Sequence, residues 1–126
     1  MSKVRARHGT LTCAVLSILV LLTACGHGLT DKDWTQAVAD ARSVNASLRA
    51  GSYDAARETW KPVDNLIHTA FPKLKKADPA VAGNLWTHMG LVEVGFLNKD
   101  YNLVEQGSGA LPDLLVKAHD AWSKVR

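Results

Sequence analysis

Residue types able to do chemistry are sparse in this chain of 126 residues. After residue 24 there are four histidines, His27, His68, His88 and His119, and three glutamates, Glu58, Glu93 and Glu105. Imidazole and carboxylate together make a donor set for iron or copper. In a helical bundle such a site is usually built from Glu and Glu-x-x-His pairs projecting inward, and no glutamate here stands three residues before a histidine. His68, near the end of one helix, and His119, near the end of another, are expected at a shared level, with His88 halfway along a third. All three flank apolar stripes and read first as partly exposed surface positions. They remain the candidate metal ligands. Met89 follows His88 directly, and neighbours on a helix diverge by about 100°, so the two do not share one metal. Gly107, Ser108 and Gly109 do not form a nucleophile elbow, and no phosphate-cradling glycine loop is present. The expectation is a protein without catalytic machinery and without a bound cofactor.

One cysteine has a context of its own. Lys3, Arg5 and Arg7 precede an apolar run from Leu11 to Ala24, which ends at Cys25. A helix of these 14 residues would cover only about 21 Å of a bilayer core about 30 Å thick. The layout is that of a secretory signal, residues 1–24. Its end, Leu22, Thr23, Ala24 and Cys25, resembles the lipobox of bacterial lipoproteins. The resemblance implies that Leu22, Thr23 and Ala24 are read by a signal peptidase, that the Cys25 thiol carries a diacylglyceryl group, and that the new amino terminus is open to N-acylation. Two or three acyl chains make a lasting anchor in a lipid bilayer. Gly26, where an aspartate would mark inner-membrane retention, favours the outer membrane in a Gram-negative host. Residues 25–29 are then the lipidated cysteine and a tether reaching about 14 Å, and residues 30–126 are the folded domain.

Charge supports this division. The whole chain carries +3, but removing Lys3, Arg5 and Arg7 leaves twelve cations against twelve acids. A nucleic-acid partner is therefore not expected. Cys13 goes with the signal and Cys25 is consumed, so no disulfide is available to the domain.

Apolar residues at helical spacing define the elements that hold these groups. Thr30 with Asp33 approximates a capping box ahead of Trp34, Val38, Ala41, Val44 and Leu48, and Gly51 stops this first helix. Ser52 opens a second, with Tyr53, Ala56, Trp60, Val63, Ile67 and Ala70 on its stripe, a kink at Pro62 and an end at Phe71 and Pro72. Asp78 and Pro79 start a third, carrying Ala82, Trp86, Met89, Val92 and Phe96. A fourth begins near Asp100, is interrupted over residues 106–109, and resumes with Leu111, Leu115, Ala118, Trp122 and Val125. Pro62 and the glycine break mark where a pocket would open between the second and fourth helices. The expected fold is an all-α, antiparallel up-and-down four-helix bundle. An offset of 48 residues aligns Val44 with Val92, Leu48 with Phe96, Tyr53 with Tyr101 and Leu66 with Leu114. Two copies of one helical hairpin, or simple amphipathic periodicity, both account for it.

The stretch from Leu48 to Trp60 resembles the turn and second helix of a tetratricopeptide repeat, with Gly51, Tyr53, Ala56 and Trp60 in matching places. The span from Leu48 through Asp78 and Pro79 to Phe96 is similar to extracytoplasmic helical segments of bacterial iron permeases. Lys73, Asn84 and Trp86 stand where those segments place iron-engaging glutamates, so that metal site does not carry over. Up-and-down order collects Lys32, Lys73, Lys75, Lys76, Lys124 and Arg126 at the end nearest the tether, a candidate membrane-facing surface. The expected function is a lipid-anchored, non-enzymatic binding or accessory module on the extracytoplasmic face of a bacterial membrane, with an envelope protein as partner. The alternative is an envelope protein handling iron or copper through His27, His68, His88 or His119.

Overall fold

The computed structural model describes residues 28–125. The residues read as a signal segment, with Cys13, the lipobox-like stretch Leu22 to Cys25, His27 and Arg126 lie outside the described residues. Four helices are found among them: α1 (Asp31–Arg49), α2 (Tyr53–Ala77), α3 (Pro79–Asn98) and α4 (Tyr101–Ser123). Sequential helices pack on one another and α4 closes the ring onto α1. Only α2 and α4 touch across the diagonal. This is the up-and-down four-helix bundle.

Local chemistry starts each helix where the sequence places it. Thr30 and Asp33 complete a capping box: the Thr30 amide donates to Asp33 Oδ2 at 2.7 Å, and the Asp33 amide to Thr30 Oγ1 at 3.3 Å. Asp78 accepts from the Val81 amide at 3.1 Å ahead of Pro79, and Asp100 accepts from the Leu103 amide at 3.2 Å. Ser52 occupies the same position before α2 but makes no side-chain cap bond.

The two hairpin turns are built alike. After α1 the Ser52 amide donates to Ser47 O (2.8 Å) and the Gly51 amide to Leu48 O (3.1 Å), with Gly51 at φ +72°. After α3 the Asp100 amide donates to Gly95 O (2.8 Å) and the Lys99 amide to Phe96 O (3.4 Å), with Lys99 at φ +55°. Both are Schellman closures, 48 residues apart. Burial follows the same offset. Trp34, Ala37, Ala41, Val44 and Leu48 are buried on α1, and Ala82, Leu85, Met89, Val92 and Phe96 on α3. Ala56, Trp60, Val63, Ile67, Ala70 and Leu74 on α2 correspond to Val104, Ser108, Leu111, Leu115, Ala118 and Trp122 on α4, all buried. Tyr53 and Tyr101, the first residues of α2 and α4, stack at 3.7 Å with planes 3° apart. The two hairpins thus share one pattern of turns and burial around a common core.

Four local expectations are corrected by packing. α2 does not end at Phe71 and Pro72 but runs to Ala77, because Leu74, one turn beyond Ala70, is fully buried and extends the stripe. α4 is not interrupted over residues 106–109. Gly107 is buried, and a Cβ on it would meet His88 O at 2.6 Å and Leu91 Cβ at 2.9 Å. It is a point of close approach to α3, not a hinge. Ala37 and Leu85 take the core places expected for Val38 and Trp86, which sit one residue round the helix; Trp86 is 40% exposed. The groove that Pro62 lines is not between the diagonal pair α2 and α4. A groove of about 310 Å³ lies instead between α1 and α2, lined by Leu29, Gln36, Ala37, Asp40, Pro62 and Leu66.

One part-buried polar pair repairs a backbone fault. Pro112 has no N–H to give to the carbonyl four residues back, that of Ser108. Asn45 of α1 fills the gap: its Nδ2 donates to Ser108 O at 3.1 Å while Ser108 Oγ donates to Asn45 Oδ1 at 2.6 Å. Buried Ser108 is thereby satisfied at both oxygens.

Candidate functional site

The spacing of Asp64 and His68, four residues apart, puts both side chains on one face of α2. Phe71, one turn further, continues that row. On antiparallel α3 the facing row is Glu93 and Trp86. Where the rows meet, His68 Nε2 lies 3.2 Å from Asp64 Oδ1 and 3.4 Å from Glu93 Oε1. One ligand atom from each of the three residues falls within 4.8 Å of the others. Trp86 closes one side, its ring edge-on to His68 at 5.2 Å and against Phe71 at 4.2 Å.

Two carboxylates with one imidazole leave an excess of negative charge. Burial pushes the Asp64 carboxyl up to about 6 from an ordinary 3.8, and Glu93 adds to the rise by hydrogen bonding and by its own charge; His68 alone opposes it. Asp64 Oδ1 is shut off from solvent, with His68 Nε2 at ion-pair distance. The side chains are partly open to water, 28% for Asp64, 50% for His68 and 41% for Glu93. Such a site holds its charges in a moderate dielectric.

The three candidate histidines are not brought together. His68 joins the two acids. His88 turns back on its own helix, Nδ1 2.8 Å from Asn84 O. His119 bridges α4 to α1, with Nε2 2.8 Å from Asp31 Oδ1 and its ring stacked on Trp34 at 5.4 Å. Asp64 and Glu93 were not singled out by the sequence. The signal for Asp64 was its four-residue spacing from His68; Glu93 required the register of α3 on α2.

The lysines expected at one end are there. Lys32 in the first turn of α1, Lys73, Lys75 and Lys76 in the last turns of α2, and Lys124 after α4 share the end where the chain enters at Gly28. Lys73 Nζ sits 4.3 Å from the Trp122 ring centroid and Lys124 pairs with Asp120 at 3.0 Å. Lys32, Lys75, Lys76 and Lys124 are exposed. Trp34 and Trp122, close to this end, are core residues. No helix among the described residues is long and apolar enough to cross a membrane. Comparison with known proteins returns no match to a family, to a curated protein or to a solved structure.

Proposed function

We propose that the protein is a lipid-anchored, non-enzymatic helical binding module on the extracytoplasmic face of a bacterial envelope membrane. The observation that carries this reading is the lipobox-like Leu22, Thr23, Ala24 and Cys25 behind a basic start and an apolar run, standing only five residues ahead of the Thr30 cap. A tether this short holds the entry end of the bundle against the headgroups. That end displays Lys32, Lys75, Lys76 and Lys124, and each cation near an anionic surface adds up to about 1 kcal/mol of attraction. Binding takes place on the helix faces that stand away from the bilayer.

Expression of the full chain and of Cys25→Ser in a bacterium supplied with labelled palmitate tests the anchor. The parent chain incorporates label and begins at Cys25 with added acyl mass; Cys25→Ser stays at precursor length without label. A mature chain that begins elsewhere, or carries no acyl mass, overturns the proposal.

A further inference from the structure

We propose that Asp64, His68 and Glu93 bind a divalent first-row transition-metal ion between α2 and α3. This gives the binding module a ligand class, and it stands whether or not Cys25 carries lipid.

Distance is the first support. Ligands held about 2.0–2.2 Å from one ion at tetrahedral angles lie about 3.3–3.6 Å apart, and His68 Nε2 stands 3.2 and 3.4 Å from the two acids. A hydrogen-bonded cluster explains the arrangement less well. A single N–H at Nε2 serves one of the two acids at a time, and Asp64 Oδ1 is closed to solvent. A cation between the three satisfies all of them and removes the repulsion between the carboxylates.

The internal repeat supplies independent support. Positions 64, 68 and 93 correspond at the 48-residue offset to Pro112, Val116 and Asn45. The hairpin therefore closes its α4–α1 seam without any charge at these places. At these places the α2–α3 seam carries charge that the α4–α1 seam does not.

One imidazole nitrogen and two carboxylate oxygens, with no thiolate, select zinc, ferrous iron, cobalt or manganese over cuprous copper. Three protein ligands leave room for water, and half-open side chains let the ion exchange.

The test uses the membrane-extracted protein in detergent, stripped with chelator and titrated with Co(II), then with Zn(II) in competition. One Co(II) per chain is expected, with a visible d–d band that Zn(II) abolishes. Tryptophan fluorescence is quenched, and Trp86→Phe removes most of the quenching while leaving the d–d band. His68→Ala and Glu93→Gln each weaken binding at least tenfold, while His88→Ala and His119→Ala leave it unchanged; circular dichroism verifies that each variant is folded. No binding at millimolar Co(II), or binding that persists undiminished in both His68→Ala and Glu93→Gln, overturns the site. Cys25→Ser loses the anchor and keeps the cobalt band, so failure of the anchor and failure of the metal site are read separately.

Discussion

Replacing Asp64 by asparagine will stabilise the metal-free bundle at neutral pH. An acid whose pKa is raised on folding holds its proton more tightly in the folded chain. Its contribution to stability is greatest below the unfolded value of 3.8, declines as pH rises to about 6, and is level above that. At about 1.4 kcal/mol per pH unit, the rise from 3.8 to about 6 corresponds to about 3 kcal/mol. Water reaches Asp64 and, more freely, Glu93, and this screening reduces the figure to about 1–2 kcal/mol. Asparagine keeps the shape, has no charge to desolvate, and can donate to Glu93 at any pH. Thermal unfolding followed by circular dichroism in chelator at pH 7.5 should show a Tm about 5–10 °C above the parent. At pH 4 the two chains should unfold together. A variant less stable than the parent at pH 7.5, or equally shifted at both pH values, would refute the electrostatic reasoning. The same substitution should weaken Co(II) binding at least tenfold. A residue kept for packing would not raise stability and lower affinity together.

Backbone and packing give three further expectations. Gly107→Ala forces a methyl group onto His88 O and Leu91 and should lose about 1–3 kcal/mol, whereas Gly109→Ala, with nothing within 4 Å, should gain about 0.5–1 kcal/mol; urea denaturation of the pair distinguishes a contact from a hinge, which would tolerate both. Asn45→Ala strips the Ser108 hydroxyl and the carbonyl orphaned by Pro112 of their partner, and should cost about 2–3 kcal/mol, against about 1 kcal/mol for Ser108→Ala, which keeps the carbonyl bond. Equal losses from the two would contradict the repair of the proline fault. Lys99→Gly relieves a left-handed lysine at φ +55° and should raise stability by about 0.5–1 kcal/mol, measurable as a higher Tm; a lower Tm would mean the lysine side chain matters more than its backbone.

Helix starts were legible because they rest on neighbours in sequence. Thr30 with Asp33, and Asp78 with Pro79, announce their helices by a bond to an amide three residues on. The four-helix order and the 48-residue offset were legible for the same reason, since stripes at steps of three and four survive any detail of packing. Pro72 and the glycines near Gly107 misled because local rules rate each residue alone. Leu74 buried against the core outweighs a proline two residues earlier, and Gly107 is small because His88 O of α3 comes within contact distance. The metal site was half legible. A search for glutamate three residues before histidine passes over Asp64, four residues before His68, and nothing in the sequence states that Glu93 lies opposite.

The lipid-anchor and metal readings draw on different parts of the chain, and the repeat explains why they coexist. Each hairpin copy has one position, 45 or 93, that reaches across to the neighbouring second helix. In the first copy Asn45 is committed: Pro112 leaves a buried carbonyl bare and only an amide side chain supplies both the donor and the acceptor that Ser108 needs. At the other seam the residue matching Pro112 is Asp64 and that matching Ser108 is Trp60, so the pairing made by Asn45 has no counterpart there; the prolines of α2, Pro62 and Pro72, fall at other positions. Glu93 instead meets His68 and Asp64 across the α2–α3 seam, where two carboxylates share one imidazole. A bundle that needs every polar group for its own closure could not carry an unneutralised pair of acids at an interhelical contact.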